Sequence, residues 1–122
     1  MRPGVIEVVA RDGAALVRVR SDIDATVADP LRRVLAEASD RHCPVVLDLG
    51  DAPAIDSAGL GALVRAHRRA HRSGGVLCLA GPSRYVLTVL HTMKVDPLFP
   101  TFDDVSAALA WIRLGAPQPA LG

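Results

Sequence analysis

Val45-Val46-Leu47-Asp48-Leu49-Gly50-Asp51-Ala52-Pro53-Ala54-Ile55-Asp56-Ser57-Ala58-Gly59-Leu60-Gly61 runs from an apolar segment through a Gly/Pro loop into an Asp-Ser pair. The near-continuous apolar run Val45 to Leu49 fits a central strand covered on both faces. Gly50 to Ile55 is a loop. A helix starts near Ser57, with Leu60, Leu63, Val64 and Ala70 inward, and stops at Gly74-Gly75. Ser57 therefore stands at a helix N-terminus, where backbone N–H groups lack partners. Asp56 or Ser57 caps that helix. Gly59 and Gly61 carry no side chain, so the backbone of the first turns is open to close approach.

Upstream, Val5 to Ala10 reads as a strand, Asp12-Gly13 as a hairpin turn and Ala15 to Arg20 as a second, half-exposed antiparallel strand. Asp24 to Arg41 has helical spacing through Leu31, Val34, Leu35 and Ala38. Pro30 belongs near a helix start, so the expected helix begins at about Asp29. Downstream, Val76 to Ala80 is a buried strand, and Ser83 caps a helix carrying Val86, Leu87, Leu90 and Met93. Leu98-Phe99 reads as a short edge strand between Pro97 and Pro100. Thr101-Phe102-Asp103-Asp104 reads as a variant capping box for a last helix with Val105, Ala108, Leu109 and Ile112. The expected fold class is α/β: one domain, a mixed and mostly parallel sheet with an N-terminal antiparallel hairpin, flanked by about four helices. Residues 1–114 form the domain and 115–122 a flexible tail.

The whole chain has 122 residues, 50% hydrophobic and 22% charged, with a net charge of +1. That suffices for one core and argues against disorder. The neutral balance argues against nucleic acid or an anionic membrane as partner. Aromatics are 3%, too few for base stacking. No apolar run reaches the roughly 20 residues of a membrane helix, and no signal peptide is visible, so the expected location is the cytoplasm. Cys43 and Cys78 read as reduced, with Cys78 in the core.

Chemistry candidates are sparse. His67 and His71 are four apart, but Arg68, Arg69 and Ala70 lie between them, so they read as side chains at the core boundary and not as metal ligands. His42 and His91 read as isolated surface residues. Arg65, Arg68, Arg69 and Arg72 form one basic helical face that could meet an acidic partner. There is no nucleotide fingerprint, so no cofactor is expected and any nucleotide must come with a partner.

The run D-L-G-D-A-P-A-I-D-S-A-G-L-G-A-L followed by Gly74-Gly75 resembles the signature of STAS domains, in particular bacterial anti-sigma factor antagonists. Asp24-Ala25-Thr26 resembles a second motif of that family. The likeness covers roughly residues 5 to 114. It implies a non-enzymatic switch acting in transcription regulation. Ser57 would be phosphorylated by an anti-sigma factor that is also a serine kinase and supplies the ATP. The unphosphorylated form would capture that partner and indirectly free a sigma factor. The partner-binding surface carried over is Asp24, Thr26, Asp56, Ser57, Ala58, Gly59, Leu60 and Gly61. The sequence departs from the family at Ser21 and near Lys94, where glycine is usual; a left-handed Lys94 would cost roughly 1 kcal/mol.

Two other readings stand beside this one. The first is a STAS subunit of a lipid-transport or scaffold complex that is never phosphorylated. The second comes from Asp22-Ile23-Asp24-Ala25-Thr26, which resembles the D-x-D-x-T motif of haloacid-dehalogenase-type phosphatases, with Asp22 as nucleophile and Asp24 as acid–base. The arginines at 18 and 20 weigh against it, because that chemistry sits at the end of a fully buried strand.

Overall fold

The structure is a computed structural model that describes residues 4–41 and 44–115. Five strands, β1 (Ile6–Arg11), β2 (Ala14–Val19), β3 (Val45–Asp48), β4 (Leu77–Ala80) and β5 (Thr101–Phe102), form one sheet in the order β1-β2-β3-β4-β5. β1 and β2 are antiparallel and the other pairings are parallel. Asp12 (φ 53°) and Gly13 (φ 80°) make the hairpin turn, both in the left-handed region that their residue types tolerate.

The helices are α1 (Ala25–Asp40), α2 (Ser57–Arg72), α3 (Arg84–Thr92) and α4 (Val105–Arg113). The larger core lies on one sheet face, where Val17, Val19, Val45, Leu47, Leu77 and Leu79 meet Leu31 and Leu35 of α1, Leu63 of α2 and Leu90 of α3. On the other face Leu16, Val46 and Ala80 pack against Ala108 and Leu109 of α4. This two-sided burial explains the unbroken apolar run of β3. Cys78, inside β4, is fully buried, and burial pushes its thiol up to about 12.

Several details differ from the sequence expectation. α1 starts at Ala25, not near Asp29, because Asp24 caps it, and Pro30 is accommodated inside the helix. The missing amide of Pro30 costs one hydrogen bond, which the burial of Val27, Ala28 and Leu31 around it offsets. β2 is not half-exposed: it is an interior strand with Leu16, Val17 and Val19 buried, and Arg18 is carried there by an ion pair from Nε to Asp48 Oδ2 at 2.8 Å. Leu98-Phe99 is not a strand. Asp96–Leu98 is a 3-10 turn with Pro97 near its start, and the edge strand is Thr101–Phe102. Thr101 accordingly does not cap α4; Asp104 does, its Oδ1 accepting from the Ala107 amide at 2.8 Å. In α3, Val86 and Leu90 are buried and Val89 packs partly buried against the core, while Leu87 and the C-cap residue Met93 are 43% and 57% exposed. His91 is not isolated, since its Nδ1 lies 3.0 Å from Asp96 Oδ2. His42, Cys43 and all of the expected tail except Gly115 lie outside the described residues.

Lys94 does adopt the left-handed conformation, at φ 60°. It ends α3 in a Schellman motif: the Lys94 amide donates to His91 O and the Val95 amide to Leu90 O, both at 3.0 Å. Ser21 shows no positive φ among the described residues, so its departure from glycine carries no backbone strain.

Candidate functional site

The site is built at the carboxyl ends of β2 and β3, the edge of an α/β sheet where loops gather. Asp48 closes β3 in two directions, pairing with Arg18 through Oδ2 and accepting the Gly50 amide through Oδ1 at 3.0 Å. The loop then turns on an Ala52 amide to Leu49 carbonyl bond of 3.1 Å. Leu49, Ala52 and Ile55 plug into the core, each 3% exposed or less, which fixes the loop from beneath. On the α3 side, the Ser83 hydroxyl donates to Pro53 O at 2.8 Å while accepting the Val86 amide at 3.1 Å. One serine thus caps α3 and ties it to the loop.

The chain segment before α1 runs beside this loop. Ile23 forms a parallel bridge with Ile55; its amide donates to Ala54 O at 2.9 Å and its carbonyl accepts the Asp56 amide at 3.2 Å. The residue after each isoleucine is a helix cap. Asp24 (φ −112°, ψ −172°) caps α1, and Asp56 (φ −109°, ψ −174°) caps α2. Two helix N-termini of matching geometry therefore emerge side by side. Asp24 and Thr26 lie at one of these helix starts, and Asp56 and Ser57 at the other.

Their electrostatics differ. Asp24 Oδ1 accepts from the Thr26 hydroxyl at 2.6 Å and the Thr26 amide at 3.0 Å. The Thr26 hydroxyl bond, more than the amide bonds, holds the Asp24 carboxyl below the usual carboxylate range. Asp56 Oδ1 accepts the Gly59 amide at 2.9 Å. So Asp56, and not Ser57, is the cap. Ser57 is the first helical residue and is exposed, and its hydroxyl meets no hydrogen-bond partner among the described residues.

The remaining members of the expected set divide by depth. Gly59 and Leu60 are buried beneath the surface, while Ala58 and Gly61 are half-buried. Leu60 packs in the core, so it supports the surface without presenting its side chain. Gly61 is not a close-approach glycine: the atoms nearest a Cβ there belong to the flexible Arg65 side chain, at 3.4 Å or more. Ile23 and Pro53 carry no sequence signal for this site, and Ser83 carries only that of a helix cap. Their partners lie far along the chain, and only the fold brings them together.

A family comparison decides the lineage: the STAS domain pattern matches residues 5–108. The chain belongs to the STAS domain family. This STAS domain is similar in structure to an anti-sigma-factor antagonist (STAS) domain protein from Planctomyces limnophilus. The TM-score is 0.80 at 20% identity, over 88% of this chain and 97% of that one. It is also similar to the Bacillus cell fate determinant SpoIIAA in its phosphorylated form, with TM-score 0.70 and 15% identity, over 88% and 99% of the two chains. A third likeness is to a sulfate transporter family protein from Wolinella succinogenes, with TM-score 0.75 and 25% identity, over 88% and 90%.

Away from the Ser57 surface, His67 and His71 stack at 5.9 Å, and His67 sets its edge against Phe99 at 5.6 Å. Burial, then the charges of His71 and Arg68, push His67 below its usual pKa. The pair thus closes the core over Phe99. Of the basic face, Arg69 is held by Asp40 through two bonds of 3.0 and 2.8 Å. Arg65, Arg68 and Arg72 are exposed, form no ion pair among the described residues, and line a groove of about 310 Å³ between α1 and α2. No described helix is long and apolar enough to cross a membrane.

Proposed function

We propose that this STAS domain is an anti-sigma factor antagonist, a cytoplasmic protein–protein switch that binds a kinase-type anti-sigma factor and is turned off by phosphorylation of Ser57. The observation that carries the reading is the position of Ser57: exposed, uncommitted by hydrogen bonding, and first in a helix whose cap is supplied by its neighbour Asp56. A cap serine would have its oxygen occupied; Ser57 keeps it free for chemistry. The partner kinase holds ATP, the Ser57 oxygen attacks the γ-phosphorus, its proton passes to a base of the kinase, and ADP leaves. The product carries about 1.5–2 added negative charges. They fall beside Asp24 and Asp56, where they would repel a partner surface shaped for the unmodified loop, while the helix N-terminus tolerates them. Asp24, Thr26, Asp56, Ala58 and Gly61 form the surrounding contact surface, and Gly59 and Leu60 hold it in place.

The test is affinity capture from native lysate with wild type, Ser57→Ala and Ser57→Glu, together with intact-mass measurement for an added phosphate. Ser57→Ala retains the kinase-type partner and Ser57→Glu loses it. Equal capture by all three overturns the reading.

The likeness to a sulfate transporter family protein favours a second reading, in which the domain is a never-phosphorylated STAS subunit of a transport or scaffold complex. Co-purification with a transport ATPase in place of a kinase would select it. The phosphatase reading is disfavoured by Asp24 itself: a carboxyl held ionised by Thr26 is a poor proton donor.

A further inference from the structure

Ser57 shares one stripe of α2 with Gly61, Arg65, Arg68 and Arg72, residues spaced three or four apart along the helix. Arg65 is exposed, but its side chain folds back along the helix. Its Nη1 and Nη2 lie 3.4 and 3.5 Å from the point where a Cβ of Gly61 would stand, so the guanidinium reaches back over bare backbone one turn toward the helix start. That direction is the usual lean of helical side chains. Gly61 is itself one turn after Ser57, about 6 Å along the axis. No ion pair occupies Arg65 among the described residues, in contrast to Arg69, which Asp40 holds by two hydrogen bonds. The nearby carboxylates of Asp56 and Asp24 are engaged by the Gly59 amide and by Thr26.

We propose that Arg65 receives a phosphoryl group carried on Ser57, clamping it against α2 across the gap left by Gly61. The inference rests on Ser57 being the modified residue and adds a second consequence to that modification. A guanidinium fork matches two phosphate oxygens at once, which a single ammonium does not. Phosphorylation then both adds negative charge at the loop and withdraws Arg65 from the strip it forms with Arg68 and Arg72. A partner that reads the cationic strip loses one of its contacts in the same event. Arg68 and Arg72 lie farther along the helix, so the clamp belongs to Arg65 alone.

The experiment uses full-length protein with phosphoserine genetically encoded at position 57, titrated by phosphorus NMR. Free phosphoserine has a second pKa near ~6. In the wild type the clamp lowers this value, and Arg65→Gln raises it back by about half a unit to one unit, the size expected of a close cation at a solvent-screened site. Arg65→Lys restores part of the depression, and Arg72→Gln leaves it in place. The clamp is overturned if Arg65→Gln titrates like the wild type, or if Arg72→Gln shifts the phosphate as much as Arg65→Gln does. Because the phosphoserine is installed without a kinase, this result is independent of the capture experiment. A normal titration with intact partner switching sinks the clamp alone, and a depressed titration with no switching sinks the switch alone.

Discussion

Gly59 of α2 lies directly against the backbone of Ile23. A Cβ on Gly59 would collide with the Ile23 carbonyl oxygen and stand 2.7 Å from Ile23 Cγ2 and 2.9 Å from Ile55 Cγ1. That same carbonyl accepts the Asp56 amide, so the contact that demands glycine is the contact that joins the two helix starts. The absence of a side chain at position 59 is what allows Asp24 and Asp56 to sit side by side.

Gly59→Ala should therefore destabilise the domain by about 2–3 kcal/mol, because backbone must move to admit the methyl group. Gly61→Ala should do the opposite. It gains about 1 kcal/mol of helix propensity and displaces only the end of Arg65. Urea unfolding of both variants checks the contrast, and equal effects at the two glycines would refute it.

Lys94 offers a second stability test. α2 ends in the same Schellman geometry as α3 but places Gly74 (φ 78°) where α3 places Lys94 (φ 60°). Lys94→Gly should stabilise by about 1 kcal/mol by relieving the left-handed conformation, less the added chain entropy of glycine. Thermal unfolding would show a higher midpoint; a lower one contradicts the strain argument.

The Asp24 cap predicts an acid-sensitive component of stability. Hydrogen bonding by Thr26 lowers the folded-state pKa of Asp24 below its unfolded value. Its contribution is complete above the ordinary carboxylate range and is lost as pH falls through the folded pKa. Asp24→Asn keeps a capping oxygen but cannot titrate, so its urea midpoint should fall less between about pH 5 and pH 2 than that of wild type. Parallel curves for the two proteins would exclude the linkage.

Much of this fold is legible in one dimension because its causes are local. The unbroken apolar run at Val45 to Leu49, the Asp12-Gly13 turn, the Gly74 stop and the serine and aspartate caps each act within a few residues. The departures from the sequence pattern also have local causes. Pro30 outweighed Asp24 in setting the start of α1, although tertiary burial of Val27, Ala28 and Leu31 makes a proline in the third position after Val27 tolerable. Leu98-Phe99 carries strand-like side chains, yet Pro97 holds the segment in a 3-10 turn and the pairing to β4 passes to Thr101 and Phe102. Leu87 and Met93 share helical spacing with Val86 and Leu90, but α3 turns Val86, Val89 and Leu90 to the core and leaves the other two exposed.

The sequence by itself determined that an Asp-Ser pair would open a helix after a buried strand, because strand patterning and helix capping are short-range effects. It could not determine which of the pair caps, since either side chain can reach the orphan amides; the fold assigns that role to Asp56 and leaves Ser57 free. Nor could it determine that Asp24 stands beside Asp56. That neighbourhood depends on the Ile23–Ile55 bridge and on Gly59 admitting the Ile23 carbonyl, contacts between segments that meet only when the sheet and both helices have packed.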